Sequence, residues 1–147
     1  MTALATGGLS FLLVTGSLAN DSNRPATKEA SAYFISPGNK AVLTSPVTIR
    51  FGLKGMGIAP AGIDFPSTGH HHLLIDRDVP VDFERPLPST SKTLHFGKGQ
   101  TEVTLEIPPG KHRLQLLLGD HLHRPHDPPV LSEPLLITIR PVPGAAQ

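Results

Sequence analysis

The chain has no cysteine. That absence removes disulfides, thiolate metal sites, cysteine nucleophiles and lipid-modified cysteines together. Any metal site must then use imidazole, carboxylate, thioether or backbone oxygen. An excess of charge of one sign is also lacking. Thirteen Lys and Arg stand against twelve Asp and Glu, a formal net charge of +1 with histidines neutral. No Lys/Arg run stands out, which argues against a nucleic-acid surface, since such surfaces normally show as a basic stripe. No G-x-S-x-G elbow, phosphate-cradling glycine loop or H-E-x-x-H helix occurs, so no nucleophile or general base announces itself. The apolar stretch Leu9–Leu18 is too short to span a bilayer, and no membrane span is expected in the mature chain. Histidine, finally, is missing from the first sixty-nine residues.

The 147 residues suffice for one domain with a real core. Sixteen prolines and fourteen glycines, set between short apolar runs, suit a turn-rich β protein and disfavour long helices. Ser17-Leu18-Ala19 follows the apolar stretch with small residues at the −3 and −1 positions of a cut before Asn20. Residues 1–19 therefore read as a signal peptide of an exported protein, periplasmic or secreted. No basic residue precedes Arg24, which keeps a mildly apolar leader open as the other reading. Residues 20–31 read as a polar linker, 32–141 as the domain and 142–147 as a disordered tail.

From Ala32 onward the pattern has period two. Predicted strands fall at Tyr33–Ile35, Val47–Leu53, Leu73–Ile75, Leu94–Phe96, Val103–Ile107, Leu114–Leu118 and Leu135–Ile139. Turn signals such as Pro37-Gly38-Asn39 and Pro108-Pro109-Gly110 separate them. About seven short strands at this spacing point to an all-β, immunoglobulin-like β-sandwich. A small β-barrel is the alternative, because strand count alone does not separate the two. Phe51, Leu105, Leu116 and Ile137 are expected in the core, and Thr48 at the surface. The acidic residues Asp76, Asp78, Asp82 and Glu84 read as a solvated loop at the end away from the histidines.

Seven of the eight histidines lie in places that strand parity brings to one end of such a sandwich. His70, His71 and His72 open the third predicted strand, and His95 lies in the fourth. His121, His123 and His126 fill the connection after the sixth, which the immunoglobulin arrangement makes an antiparallel neighbour of the third. His112 belongs to the opposite end. Residues two apart on a strand share a face. His70 and His72 therefore point together, as do His121 and His123 if the chain stays extended. Three or four such imidazoles suit copper or zinc.

His70, His72, His121 and His123 are the candidate ligands, with His126 and His95 in reserve. Asp120 and Asp127 are candidate acceptors that fix an imidazole tautomer, and His71 a buried neighbour behind the ligands. Which phase of the strand faces the core stays open. Any one of these histidines is better read as a loop or core hydrogen-bonder. The cluster as a whole favours metal or proton chemistry. The competing reading is an interaction module whose partner is an envelope protein or glycan. An enzyme using a bound metal ranks third.

The runs Tyr33–Pro37, Phe51–Gly57, Gly69–Asp76, His95–Thr101 and Pro109–Pro129 together resemble the bacterial DUF4399 family. The likeness extends from Tyr33 to about Arg140, and its most specific parts are the histidine triplet and the segment Gly119–Pro129. The resemblance implies an exported, β-sandwich-like domain. It implies no biochemical activity.

Overall fold

A computed structural model describes residues 24–80 and 82–141. The expected signal peptide, the first residues of the expected linker and the expected tail lie outside the described residues. Nine strands form, and no helix occurs among the described residues: β1 Ser31–Ser36, β2 Ala41–Thr44, β3 Val47–Lys54, β4 Gly57–Ile58, β5 Thr68–Ile75, β6 Thr93–His95, β7 Glu102–Leu105, β8 Gly110–Gly119 and β9 Leu135–Arg140. The seven predicted strands are all present. β2 and β4 are additions, short segments of four and two residues that carry too few positions to show a period.

The strands make two sheets that face each other across one core. One sheet has the order β1-β3-β7 and the other β2-β9-β8-β5-β4, with β6 also paired to β5. This is an immunoglobulin-like β-sandwich. The first, second and fifth predicted strands share one sheet, and the third, sixth and seventh share the other. The fourth, β6, departs from the constant-type order. It pairs antiparallel with β5 in place of its expected neighbour β7.

Alternation decides which side chains enter the core. Val47, Ile49 and Phe51 of β3 meet Leu73 of β5, Leu114, Leu116 and Leu118 of β8, and Ile137 and Ile139 of β9. Three of the four expected core residues are fully buried: Phe51, Leu116 and Ile137. Leu105 is half-buried at the margin, and Ile107 is the buried residue at that end of the chain's turn.

β5 is buried on both faces over Gly69–Leu74. An antiparallel strand commonly has one wet face, so something must cover the second. Two segments do. The 76–92 connection starts beside Arg113, where Asp76 accepts from its amide at 2.8 Å. It reaches the histidine end, where the Leu87 amide donates to the His123 carbonyl at 2.8 Å, and returns so that its Lys92 carbonyl accepts from the Ile75 amide of β5. Glu84 is thereby carried to the histidine end, where it meets Arg24 at 3.3 Å. The 120–134 connection turns over the end of β5, where the His123 ring meets His70. It then pairs along the opposite edge of β8 through the Leu118–Val130 and Ser132–Leu116 backbone bonds. Leu74 and Leu117 on this face, and Leu87 within the 76–92 connection, are buried apart from the main core.

Candidate metal centre

The histidine triplet straddles the sheet. His71 points with Leu73 toward the core, its ring edge-on to Phe51 at a centroid distance of 4.9 Å. His70 and His72 point to the other face, under the covering segments, and are 0% and 1% exposed. Register supplies the third ring. His72 lies directly opposite His95 on β6, and their centroids are 5.1 Å apart.

The fourth ring comes from the turn after β8. His70 pairs with Gly119 in the ladder, so the next residues turn over the end of β5. The His123 amide closes that turn onto the Asp120 carbonyl at 2.9 Å. Its ring then lands 3.1 Å (Nδ1) from His70 Nε2. His95 and His123 centroids are 4.6 Å apart.

His70, His72, His95 and His123 each offer a nitrogen, and the four nitrogens lie within 4.8 Å of one another. A tetrahedral ion with bonds of 2.0–2.1 Å would hold its nitrogens about 3.3 Å apart. The His70–His123 pair is already at that spacing, and the others need to close by about 1.5 Å at most. Glycines make room for the rings. A Cβ on Gly119 would sit 2.6 Å from His72 Cε1, and one on Gly97 would clash with Cε1 and Nε2 of His95.

The nitrogens are ready for an acceptor of lone pairs. His70 Nδ1, both nitrogens of His72 and His95 Nε2 are buried with no hydrogen-bond partner. A buried polar atom left this way costs about 1–3 kcal/mol, so an unexplained set of them calls for a ligand. Burial, reinforced by the neighbouring His95 and His123 rings, pushes His70 down to about 4. Burial and the adjacent rings push His72 down to about 3. Burial, then His123, lowers His95 as well. Uncharged imidazole is the form a metal requires.

The structure separates the remaining sequence candidates from this group. His121 turns away to the surface, with Nδ1 3.5 Å from Asp64. It borders a cleft of about 400 Å³ lined also by Arg24, Phe65, Asp120, Arg124 and His126. His126 is buried beside that cleft, and its Nδ1 donates to the Arg24 carbonyl at 3.3 Å. That bond fixes its neutral tautomer, and burial lowers its pKa. His71 faces the core with both nitrogens unpartnered, and burial holds it near 4.

The Asp120 carboxylate accepts from two backbone amides and from Arg124, with no imidazole nitrogen among its hydrogen bonds. Asp127 is exposed, and only its backbone takes part, bonding the Arg24 carbonyl and the Ala26 amide. His112 is at the far end, as expected, held between Asp76 at 2.7 Å and the Pro108 carbonyl at 2.8 Å. His95, a reserve by sequence, is a full member because β6 changed sheets.

A family model described as a domain of unknown function, DUF4399, matches residues 49–140. The chain belongs to the DUF4399 family. All four clustered histidines of this DUF4399 domain lie inside the matched segment. No curated protein and no solved structure matches the chain.

Proposed function

We propose that this DUF4399 protein is an exported binding module that holds one copper or zinc ion between His70, His72, His95 and His123, for storage, delivery or sensing. The observation that carries the reading is the convergence of four imidazoles, three of which have buried nitrogens with no hydrogen-bond partner. Imidazole suits both copper and zinc, and four neutral donors leave the choice between them to geometry and supply. With four protein donors the ion has no open position of the kind catalytic zinc keeps. That favours holding an ion over using it.

Metal analysis of the protein purified without chelator, followed by calorimetric titration with Cu²⁺ and Zn²⁺, tests the reading. One ion per chain is expected. His72→Ala combined with His123→Ala should abolish binding. His121→Ala should leave it intact, because that ring points elsewhere. Loss of binding in His121→Ala, or binding by the double variant equal to that of the unaltered chain, would refute this ligand set.

Export rests on Leu9–Ala19, and a periplasmic or secreted location is part of the proposal. N-terminal sequencing of the protein recovered from its cell should begin near Asn20. Full-length protein held in the cytoplasm would overturn it.

One observation favours a second reading. Ile63, Phe65 and Leu122 are 54%, 66% and 46% exposed on the loops at the histidine end. Those loops are joined by the bond from the Gly62 amide to the His121 carbonyl. An apolar rim there suits an interaction module that recognises an envelope protein or glycan.

A further inference from the structure

We infer that Arg24, Asp120 and Arg124 form a latch that sets His123 in its ligating position. The inference rests on the metal-binding reading above and names the residues that position one of its ligands. His123 needs such help. His70, His72 and His95 are fixed by strand pairing, whereas His123 comes from a turn. Its φ of 65° lies in the left-handed region, uncommon for any residue with a side chain. Such a conformation persists only where its surroundings over-determine it.

Asp120 supplies the constraint. Its Oδ1 accepts from the amides of Leu122 and Arg124, both at 2.8 Å, one on each side of His123. Its own amide donates to the Arg124 carbonyl, also at 2.8 Å. Its Oδ2 faces Arg124 Nε at 3.1 Å and Arg24 Nε at 3.7 Å. The Asp120 side chain is only 6% exposed. A carboxylate so buried is costly unless cations pair with it.

Arg24 connects this turn to the rest of the end. Its Nε donates to the Pro125 carbonyl at 2.9 Å, and its Nη2 donates to Phe83 and Glu84 on the 76–92 connection. Pro25 pairs with Asp127 in the next step of the chain. Three segments therefore meet at the Arg24 guanidinium, and the His123 backbone is tied to two of them, through the Asp120 carbonyl and the Leu87 amide. The matched family segment begins at residue 49, so it contains every ligand but not Arg24. The residues before the first strand, read in sequence as linker, thus reach the metal end through Arg24.

Copper titration and electron paramagnetic resonance of folded variants test the latch. In Arg24→Ala and Asp120→Ala, Cu²⁺ affinity should fall about 10- to 100-fold, the usual cost of losing a group that supports a ligand. The nitrogen hyperfine pattern should change from four imidazoles to three. Asp120→Asn keeps an acceptor for the two amides and should retain part of the affinity. Arg24→Lys keeps the charge but loses the fork, and should fall between Arg24→Ala and the unaltered chain. A role confined to stability would lower the melting temperature and leave four nitrogens in the folded fraction. Four nitrogens and unchanged affinity in folded Arg24→Ala would overturn the inference.

Should the alanine variants not fold, Arg24→Lys and Asp120→Asn are read instead by the proton NMR contact between the His70 and His123 rings, without metal. Weakening of that contact supports the latch, and an undiminished contact overturns it. If the unaltered chain binds neither Cu²⁺ nor Zn²⁺, the metal reading fails on its own, and the ring contact still decides the latch.

Discussion

An imidazole ring inside a sheet needs a neighbour that gives up volume, and here glycine provides it. Gly119 sits in β8 where the His72 ring lies across its backbone. Gly119→Ala would press a methyl against His72 Cε1 at 2.6 Å, and that ring is hemmed in by His70 and His95. Overpacking of this kind costs about 1–3 kcal/mol. The displaced ring should also cost metal affinity on the order of the 10-fold seen for lost supporting contacts. Gly38→Ala, with open space around it, should change stability by no more than about 0.5 kcal/mol and leave binding alone. Calorimetry and urea unfolding of the two variants check the contrast.

Sequence reading expected His70, His72 and His123 at one end of the sandwich, from two-residue spacing on a strand and from strand parity, and the fold brings those three rings together. It overreached at His121, where the H-x-H rule requires an extended chain. The signal against extension was present in Asp120, a residue that accepts from amides two and four positions on and so favours a turn.

At the scale of elements, β5 and β8 position the site, since both are buried on both faces, over Gly69–Leu74 and Leu114–Gly119. Leu73-Leu74-Ile75 is a continuous apolar run, and that run was the legible sign of double burial. What covers the second face was not legible. The 76–92 connection has no period, and its proline- and acid-rich composition looks like open loop, yet Leu87 within it is buried. Unfolding measurements can test that cover. Leu116→Ala removes a fully buried core side chain and should cost about 2–5 kcal/mol. Leu117→Ala, equally buried but on the loop-covered face beside His72, should cost a similar amount. Thr48→Ala, exposed on β3, should stay within about 0.5 kcal/mol. A Leu117→Ala cost as small as that of Thr48→Ala would mean that the connection does not close over the sheet.

For the molecule as a whole, the buried histidines make stability depend on pH in a fixed direction. His70, His71 and His72 keep pKa values of about 4, 4 and 3 in the fold, against about 6.5 in the unfolded chain. Between those values the unfolded chain binds more protons, so stability falls as pH drops below about 6.5 and the loss continues toward the folded values. Each such histidine contributes up to about 1.4 kcal/mol per pH unit in that window. The metal-free protein should therefore show a urea midpoint that is flat above pH 7 and falls steeply from pH 6.5 to 5.

His71 separates this effect from the proposed metal site, because burial lowers its pKa as it does those of His70 and His72, yet it faces Phe51 and not the four-histidine cluster. Replacing it by leucine removes two unpartnered nitrogens from the core. At pH 5.5, one unit below the unfolded value, His71→Leu should gain about 1.4 kcal/mol relative to its effect at pH 8. It should bind metal as the unaltered chain does. An equal effect at both pH values would mean that His71 does not resist protonation in the fold. A loss of metal binding would mean that the core face and the metal face of β5 are coupled more tightly than their opposite orientations imply.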